Sequence, residues 1–299
     1  MRVSDNQRYR QSQNRVNHAK AGNSKMTEQI STQRKLNRVS DDPIGLGRTI
    51  KYKASLKDNE QFQKNIEFTK GFIERSEASL RGISDFLIRA KELAVSLAND
   101  TYGPDSRAAA AKEVGQIIQG VVAQANAQYG NRYVFGGFRT LTPPLSRDGV
   151  FLGDDGAIFL QVDHGGFEQI NLQPRELFEA GPAERSQGHF GMIQSLEILR
   201  DSLEGNDVPG VRTAMEELDH QIDKTTTFMA KMGSIHNGVN NTLRRLEISS
   251  EITTQEVSNI EDADTFKAIS DFKKTEDILQ STLMASNKLL QPSLLNFMQ

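Results

Sequence analysis

The stretch IEFTKGFIERSEASLRGISDFLIRAKELAVSL, residues 66–97, decides how the chain folds. Ile66, Ile73, Leu80, Leu87 and Ala94 fall seven apart, and Thr69, Ser76, Ile83, Ala90 and Leu97 follow each of them by three. Steps of three and four keep side chains on one stripe of an α-helix, so the spacing predicts a long helix packed in coiled-coil fashion. The stripe ends at NDTYGPDS, residues 99–106, where Gly103 and Pro104 force a turn. A second helix is expected to open at Asp105 or Ser106. It carries Ala111, Val114, Ile118, Val121 and Ala125 on one face and makes an antiparallel hairpin with the first.

The same period returns further on. Met215, Leu218, Ile222, Thr225, Met229, Met232, His236, Val239, Leu243, Leu246, Ser250, Thr253, Val257 and Ile260 predict one helix of about 45–50 residues, roughly 70 Å long. A helix of that length needs other long helices beside it. Composition agrees with such a fold: only 36% of the 299 residues are hydrophobic, 7% are aromatic and the mean hydropathy is −0.53. A narrow apolar stripe needs fewer apolar residues than a globular core.

Both ends of the chain are set off by a break. After Ile260 the register fails at EDADTF and resumes two positions out of phase, with Ile269, Phe272, Leu279, Leu283 and Leu290 in line. Asp262 or Asp264 can cap a new helix there by accepting from its free N–H groups. Near the other end, Asp42 precedes Pro43, and a proline is tolerated at a first helical position because its missing N–H would have been unpaired. The middle differs in kind. Between residues 139 and 182 the chain alternates apolar and polar residues around Gly and Asp turns, which predicts β-hairpins in a small inserted domain. Helix resumes at about Met192.

The chemistry the residues exclude is broad. There is no cysteine, hence no disulfide, thiolate metal site or cysteine nucleophile. The five histidines form no HxxxH or HExxH pair, and His236 falls on the helical stripe. The glycine clusters GLG at 45–47 and FGGF at 135–138 lack the strand-to-helix context of a nucleotide loop, and GDDGA reads as a turn. We therefore expect no catalytic residue, cofactor or metal. No stretch reaches 18 apolar residues and the N-terminus has no apolar core of a cleaved signal, so neither membrane insertion nor a Sec-type leader is expected.

Charge is unevenly placed. Residues 1–53 hold twelve Lys or Arg against four Asp or Glu, about +8, and residues 247–299 hold four against nine, about −5. The two ends either pair with each other or present separately solvated faces. Nucleic acid is not the expected partner, since the basic segment has no aromatic platform and its charge is spread round the helix. What remains is surface for association. Tyr9, Val16, Ala19, Met26 and Ile30 lie at helical spacing, weakened by Asn23 and Gln33 on the same stripe. At the other end Leu279, Leu283, Leu290, Leu294, Leu295 and Phe297 make a more apolar segment, which reads as an assembly surface.

Four motifs carry a resemblance. RVSDDPIG at 38–45, NRYVFGGF at 131–138, SNIEDADTFKAI at 258–269 and SNKLLQPSLLNFM at 286–298 resemble the flagellin superfamily, and within it the flagellin-like hook-associated branch. Filament flagellin is the alternative, but its C-terminus usually closes on a Leu-Leu-Arg-like ending where this chain has PSLLNFMQ. The resemblance implies a non-enzymatic structural protein of the bacterial flagellum, at the joint of hook and filament. It also implies partners: further copies in a ring, a second hook-associated protein, flagellin and an export chaperone. Export would be unfolded, through the flagellar type III apparatus and without a cleaved signal, to an extracellular place.

The expected fold is mainly α: a long antiparallel helical rod, a coiled-coil-like bundle, with paired terminal helices and a small inserted β-rich domain. Residues 1–36 with 265–299 would be the inner terminal helices, and 37–44, including Ser40, Asp41, Asp42 and Pro43, the connecting segment. Residues 45–138 with 189–264 would form the rod and 139–188 the insert.

Overall fold

The computed structural model describes residues 2–99 and 102–290. Eight helices account for most of them: α1 (Arg2–Thr32), α2 (Pro43–Leu97), α3 (Pro104–Ala125), α4 (Pro174–Phe178), α5 (Pro182–Ser186), α6 (Met192–Glu204), α7 (Val208–Glu261) and α8 (Thr265–Leu290). Two antiparallel ribbons complete the set, β1 (Gln128–Tyr129) with β2 (Arg132–Tyr133), and β3 (Phe159–Asp163) with β4 (Gly166–Gln169). The chain divides into two compact units: Met1–Asp58 with Ile248–Gln299, and Asn59–Glu247. Helices α2 and α7 contribute to both.

The unit of residues 59–247 is built on the stripe of α2. All ten of its heptad positions from Ile66 to Leu97 are buried, eight of them within a continuous apolar core. Helix α3 runs antiparallel to α2. The Ser79 hydroxyl donates to Gln124 O, Arg89 Nε meets Glu113 Oε1 at 2.8 Å, and Arg107 Nε donates to Leu97 O at 3.1 Å. The hairpin begins one residue earlier than the sequence suggests. Pro104 is the first residue of α3, with Gly103 at its N-cap, so the proline opens the helix rather than only ending the turn. At Gly71 a Cβ would lie 2.3 Å from the Tyr129 hydroxyl, so the glycine leaves room for the Tyr129 ring against α2.

Helix α7 is longer than its periodicity implies, 54 residues, because Pro209 falls in its first turn where no N–H partner is required. Its buried seam also differs in part from the expected stripe. Leu218, Thr225, Met232, Val239 and Leu246 are buried as read, but the intervening positions are Ala214, Gln221, Phe228 and Thr242 rather than Met215, Ile222, Met229 and Leu243, which are only partly buried. Polar Gln221 and Thr242 hid the true seam. The Gln221 side chain is buried because its Nε2 donates to Phe190 O at 2.9 Å.

Between α3 and α6, β content is confined to short pieces. The β3–β4 ribbon turns the Leu160, Val162 and Ile170 face inward, with Asn65 Nδ2 of α2 donating to Gln161 O at 2.7 Å. The GDDGA run is irregular rather than a regular turn, and Asp154 Oδ1 accepts from Phe138 N and Gly156 N at 2.6 and 2.9 Å. Phe151, Leu177 and Phe178 join the same apolar core as the long helices.

Candidate assembly interface

The unit formed by residues 1–58 and 248–299 is organised differently. Helix α1 packs on α8 in antiparallel fashion, fixed by a hydrogen bond between the hydroxyls of Ser12 and Ser286. From that pair the two helices match in steps of four and three: Ser12, Val16, Ala19, Asn23, Met26 and Ile30 on α1, and Ser286, Thr282, Leu279, Thr275, Phe272 and Ala268 on α8. Such spacing is a coiled-coil seam. It is a shallow one, because among these positions only Ser12 and Ala268 are buried and the rest keep partial contact with solvent. The Asn23 amide nitrogen is buried on the seam and has no hydrogen-bond partner among the described residues.

The expected interface residues divide accordingly. Val16, Ala19, Met26, Ile30 and Leu279 come together on this seam, half-buried. Tyr9, Leu283 and Ile269 are exposed. The side chain of Leu290 and the whole of Leu294, Leu295 and Phe297 lie outside the described residues. Sequence reading missed Ser12, Thr275, Thr282 and Ser286, whose only signal was their place in the three-four period. It also missed the outward apolar residues of α8, Phe266 (89% exposed), Ile278 and Met284 (66%).

Where the two terminal segments meet the longer helices, the backbone is pinned on both sides. Lys35 N donates to Glu261 O at 2.8 Å and Ala263 N to Gln33 O at 2.9 Å, an isolated antiparallel bridge that holds Gln33 at φ 57°. The side chains repeat the tie. Each oxygen of the buried Glu261 carboxylate takes one cation, Arg34 Nε at 3.0 Å and Lys53 Nζ at 2.5 Å. Lys35 Nζ donates to Asn259 O at 3.0 Å.

The connecting segment is closed by its two aspartates. Asp42 caps α2, its Oδ1 accepting from Ile44 N at 3.1 Å and Gly45 N at 2.9 Å, with Pro43 at the first helical position. A Cβ at Gly45 would meet Asp42 Oδ2 at 2.3 Å and Ile260 at 3.3 Å, so the glycine lets cap and α7 close together. Asp41 does a second job: its Oδ2 accepts from Asn37 N and Arg38 N at 3.2 and 3.0 Å, and its Oδ1 meets Lys25 Nζ of α1 at 2.7 Å. The Lys25 hydrogen bond, followed by the Arg38 N–H, holds the Asp41 carboxyl below its ordinary 3.8 against a partial desolvation. Arg38 adds a bond to Glu28 Oε2 at 3.0 Å, and Ser40 occupies the turn between these partners. On the far side of the bridge Asp264 caps α8, accepting from Lys267 N at 3.1 Å, while Asp262 takes a hydrogen bond from Ser258.

His189, His220 and His236 belong to the unit of residues 59–247. His189 and His220 stack at 4.2 Å, His189 Nδ1 is 2.9 Å from Glu217, and His236 Nδ1 is 3.6 Å from Glu77. Burial raises the Glu184 carboxyl, but Lys224, the Gly181 N–H and His220 outweigh it and hold the group low. Among the described residues no group of three or more His, Asp or Glu could hold a metal ion, and no helix is long and apolar enough to cross a membrane. The arrangement offers surfaces to pack rather than groups to react.

Two family models match the chain: the bacterial flagellin N-terminal helical region over residues 3–140, and the bacterial flagellin C-terminal helical region over 215–298. Among curated relatives, flagellar hook-associated protein 3 of Salmonella typhimurium is 25% identical, covering 94% of this chain and 95% of its own length. A flagellin of Bacillus subtilis is 23% identical with 94% of each covered. Of solved structures, Bacillus cereus FlgL aligns with a TM-score of 0.60 at 22% identity, covering 70% of this chain and 99% of its own.

Proposed function

The chain belongs to the bacterial flagellin family, and from that premise we propose that it is the structural subunit that joins hook to filament, self-assembling through its paired N- and C-terminal helices. One observation carries the assembly part. Among the described residues of the terminal unit, Leu36 and Ala268 are the only apolar side chains fully buried, whereas Val39, Ile44, Ile50, Ile248, Ile252, Phe266 and Met284 face solvent. A unit that leaves so much apolar surface uncovered gains stability only when neighbours cover it. Likeness to hook-associated protein 3 supports the junction role, and a flagellin matched over nearly the same share of both chains keeps the filament as the alternative.

In this reading the subunits close a ring through α1 and α8, and α2, α3, α6 and α7 make the helical body. A second hook-associated protein meets the ring on one side and flagellin on the other. Export through the flagellar type III apparatus requires an unfolded chain, and a chaperone would cover the apolar C-terminal helix before that step. The test is an electron micrograph of flagella from a strain lacking the gene, with the medium assayed for flagellin. Hooks without filaments, with intact flagellin shed into the medium, are expected. Normal filaments would remove the junction role. Bare hooks with no shed flagellin would favour the second reading, filament flagellin, which the Bacillus subtilis relative keeps in view.

A further inference from the structure

The opposite charges at the two ends of the chain do not pair with each other in the way their sequence totals suggest. Among the described residues of the terminal unit, Glu261 is the one acid of the C-terminal half that pairs with base of the N-terminal half, through Arg34 and Lys53. Among the described residues, Arg8, Arg10, Arg15 and Lys20 of α1 meet no carboxylate, although all four are exposed. Residues 246–264 carry six acidic groups and no basic one. Three of those are committed at the joint, Glu261 to its two cations, Asp262 to Ser258 and Asp264 to the α8 cap. Glu251 and Glu256 are exposed and meet no cation among the described residues.

The surfaces that hold these charges are shaped for contact. Arg8 and Arg15 flank a groove of about 440 Å³ between α1 and α8, lined also by the hydroxyls of Ser281, Thr282 and Ser286, with no carboxylate in its wall. On α7, Glu251 and Glu256 share a face with Ile248 and Ile252, two isoleucines more than half exposed. Helix α1 packs on α8. Arg8 is roughly 37 Å along α1 from the Gln33–Ala263 bridge and Glu251 roughly 18 Å along α7 from it, so about 20 Å or more separates the two surfaces within one chain.

We propose that a second copy of this chain seats the Ile248–Glu251–Ile252–Glu256 face of its α7 at the basic groove of α1 and α8, with Arg8 and Arg15 pairing the two glutamates. The inference rests on the assembly reading above and adds to it a named contact and a direction, since base on one copy must meet acid on the next. Two apolar side chains supply area that the ion pairs do not, and the charges select register and partner by excluding a face of like sign. The contact is heterologous, so repeated copies extend in one sense and close a ring when the rotation permits.

Charge reversal on each side, then on both, tests it in cells lacking the chromosomal gene. The pairs Arg8→Glu with Arg15→Glu, and Glu251→Lys with Glu256→Lys, should each lower the fraction of hooks bearing filaments by about tenfold, since opposed like charges at a contact cost affinity. All four substitutions in one chain should restore that fraction to within about threefold of wild type, the complementarity having been reversed rather than lost. Circular dichroism of each purified variant should match the parent. The proposal is overturned if either pair leaves filaments at the wild-type level, or if the fourfold variant is as poor as the worse pair, the result that a defect in export alone would give. Failure of the unaltered gene to restore filaments would instead remove the assembly reading itself.

Discussion

At the scale of single residues, Asp42 and Asp41 perform separate tasks on adjacent positions. Asp42 satisfies two of the free N–H groups that open α2, so Asp42→Ala should cost about 0.5–2 kcal/mol of local helix stability. Filaments of the variant should detach under shear at lower force, because the same cap fixes where α2 starts relative to the bridge at Gln33 and Ala263. A variant that melts lower and holds its filaments normally would reduce Asp42 to a helix start. Asp41 instead ties the turn to α1 through Lys25, and its pH dependence has a definite sign. Its folded carboxyl lies below the ordinary 3.8, so its contribution is complete above that value and is lost as pH falls through the lower folded one. Melting curves of wild type and Asp41→Asn should therefore converge as pH drops below about 4 and stay apart at neutral pH. Curves separated by the same interval throughout would mean that the carboxylate charge does not matter.

At the scale of elements, stability is concentrated in the helices of residues 59–247. Leu87 lies at zero exposure in the apolar core, and Leu87→Ala should lower unfolding free energy by about 2–5 kcal/mol in a denaturant titration. A loss under half a kcal/mol would place the core elsewhere. The terminal pair has no such reserve, as ordering its helices costs roughly 1–2 kcal/mol per residue of backbone entropy and its seam is shallow, with most positions only half-buried. Brief proteolysis of soluble monomer should trim within residues 1–40 and beyond about 264 while residues 59–247 survive, and the fragments can be read by mass spectrometry. Protected termini in a demonstrated monomer would contradict this.

The same contrast explains what was legible in the sequence. The α2 stripe was readable position by position because every one of its heptad sites is filled from within the chain, and Asp42 with Pro43 declares a helix start by local chemistry alone. Half of the α7 seam was misplaced by one residue because Gln221 and Thr242 are buried through hydrogen bonding and packing that no hydropathy pattern records. On α1 and α8 the seam runs through Ser12, Asn23, Thr275, Thr282 and Ser286, and polar residues at a three-four period do not announce which face is covered. The outward Phe266 and Met284 were passed over for the related reason that their partners do not belong to this chain in our reading.

At the scale of the whole molecule, the two units differ in kind: one is closed on its own core, and the other leaves large apolar side chains and unpaired charges at its surface. This difference predicts that folding and assembly separate under mutation. Leu294→Asp or Leu295→Asp should abolish incorporation into the flagellum, because an unpaired carboxylate in a subunit interface costs about several kcal/mol, and the monomer's circular dichroism should not change. Full motility with either substitution would take the C-terminal leucines out of the interface. The measurement closest to the central claim is where the protein sits. Immunogold labelling of intact flagella with antibody against residues 139–188 should give a single band at the boundary between hook and filament. Label spread along the filament, or absent from the boundary, would contradict the junction role.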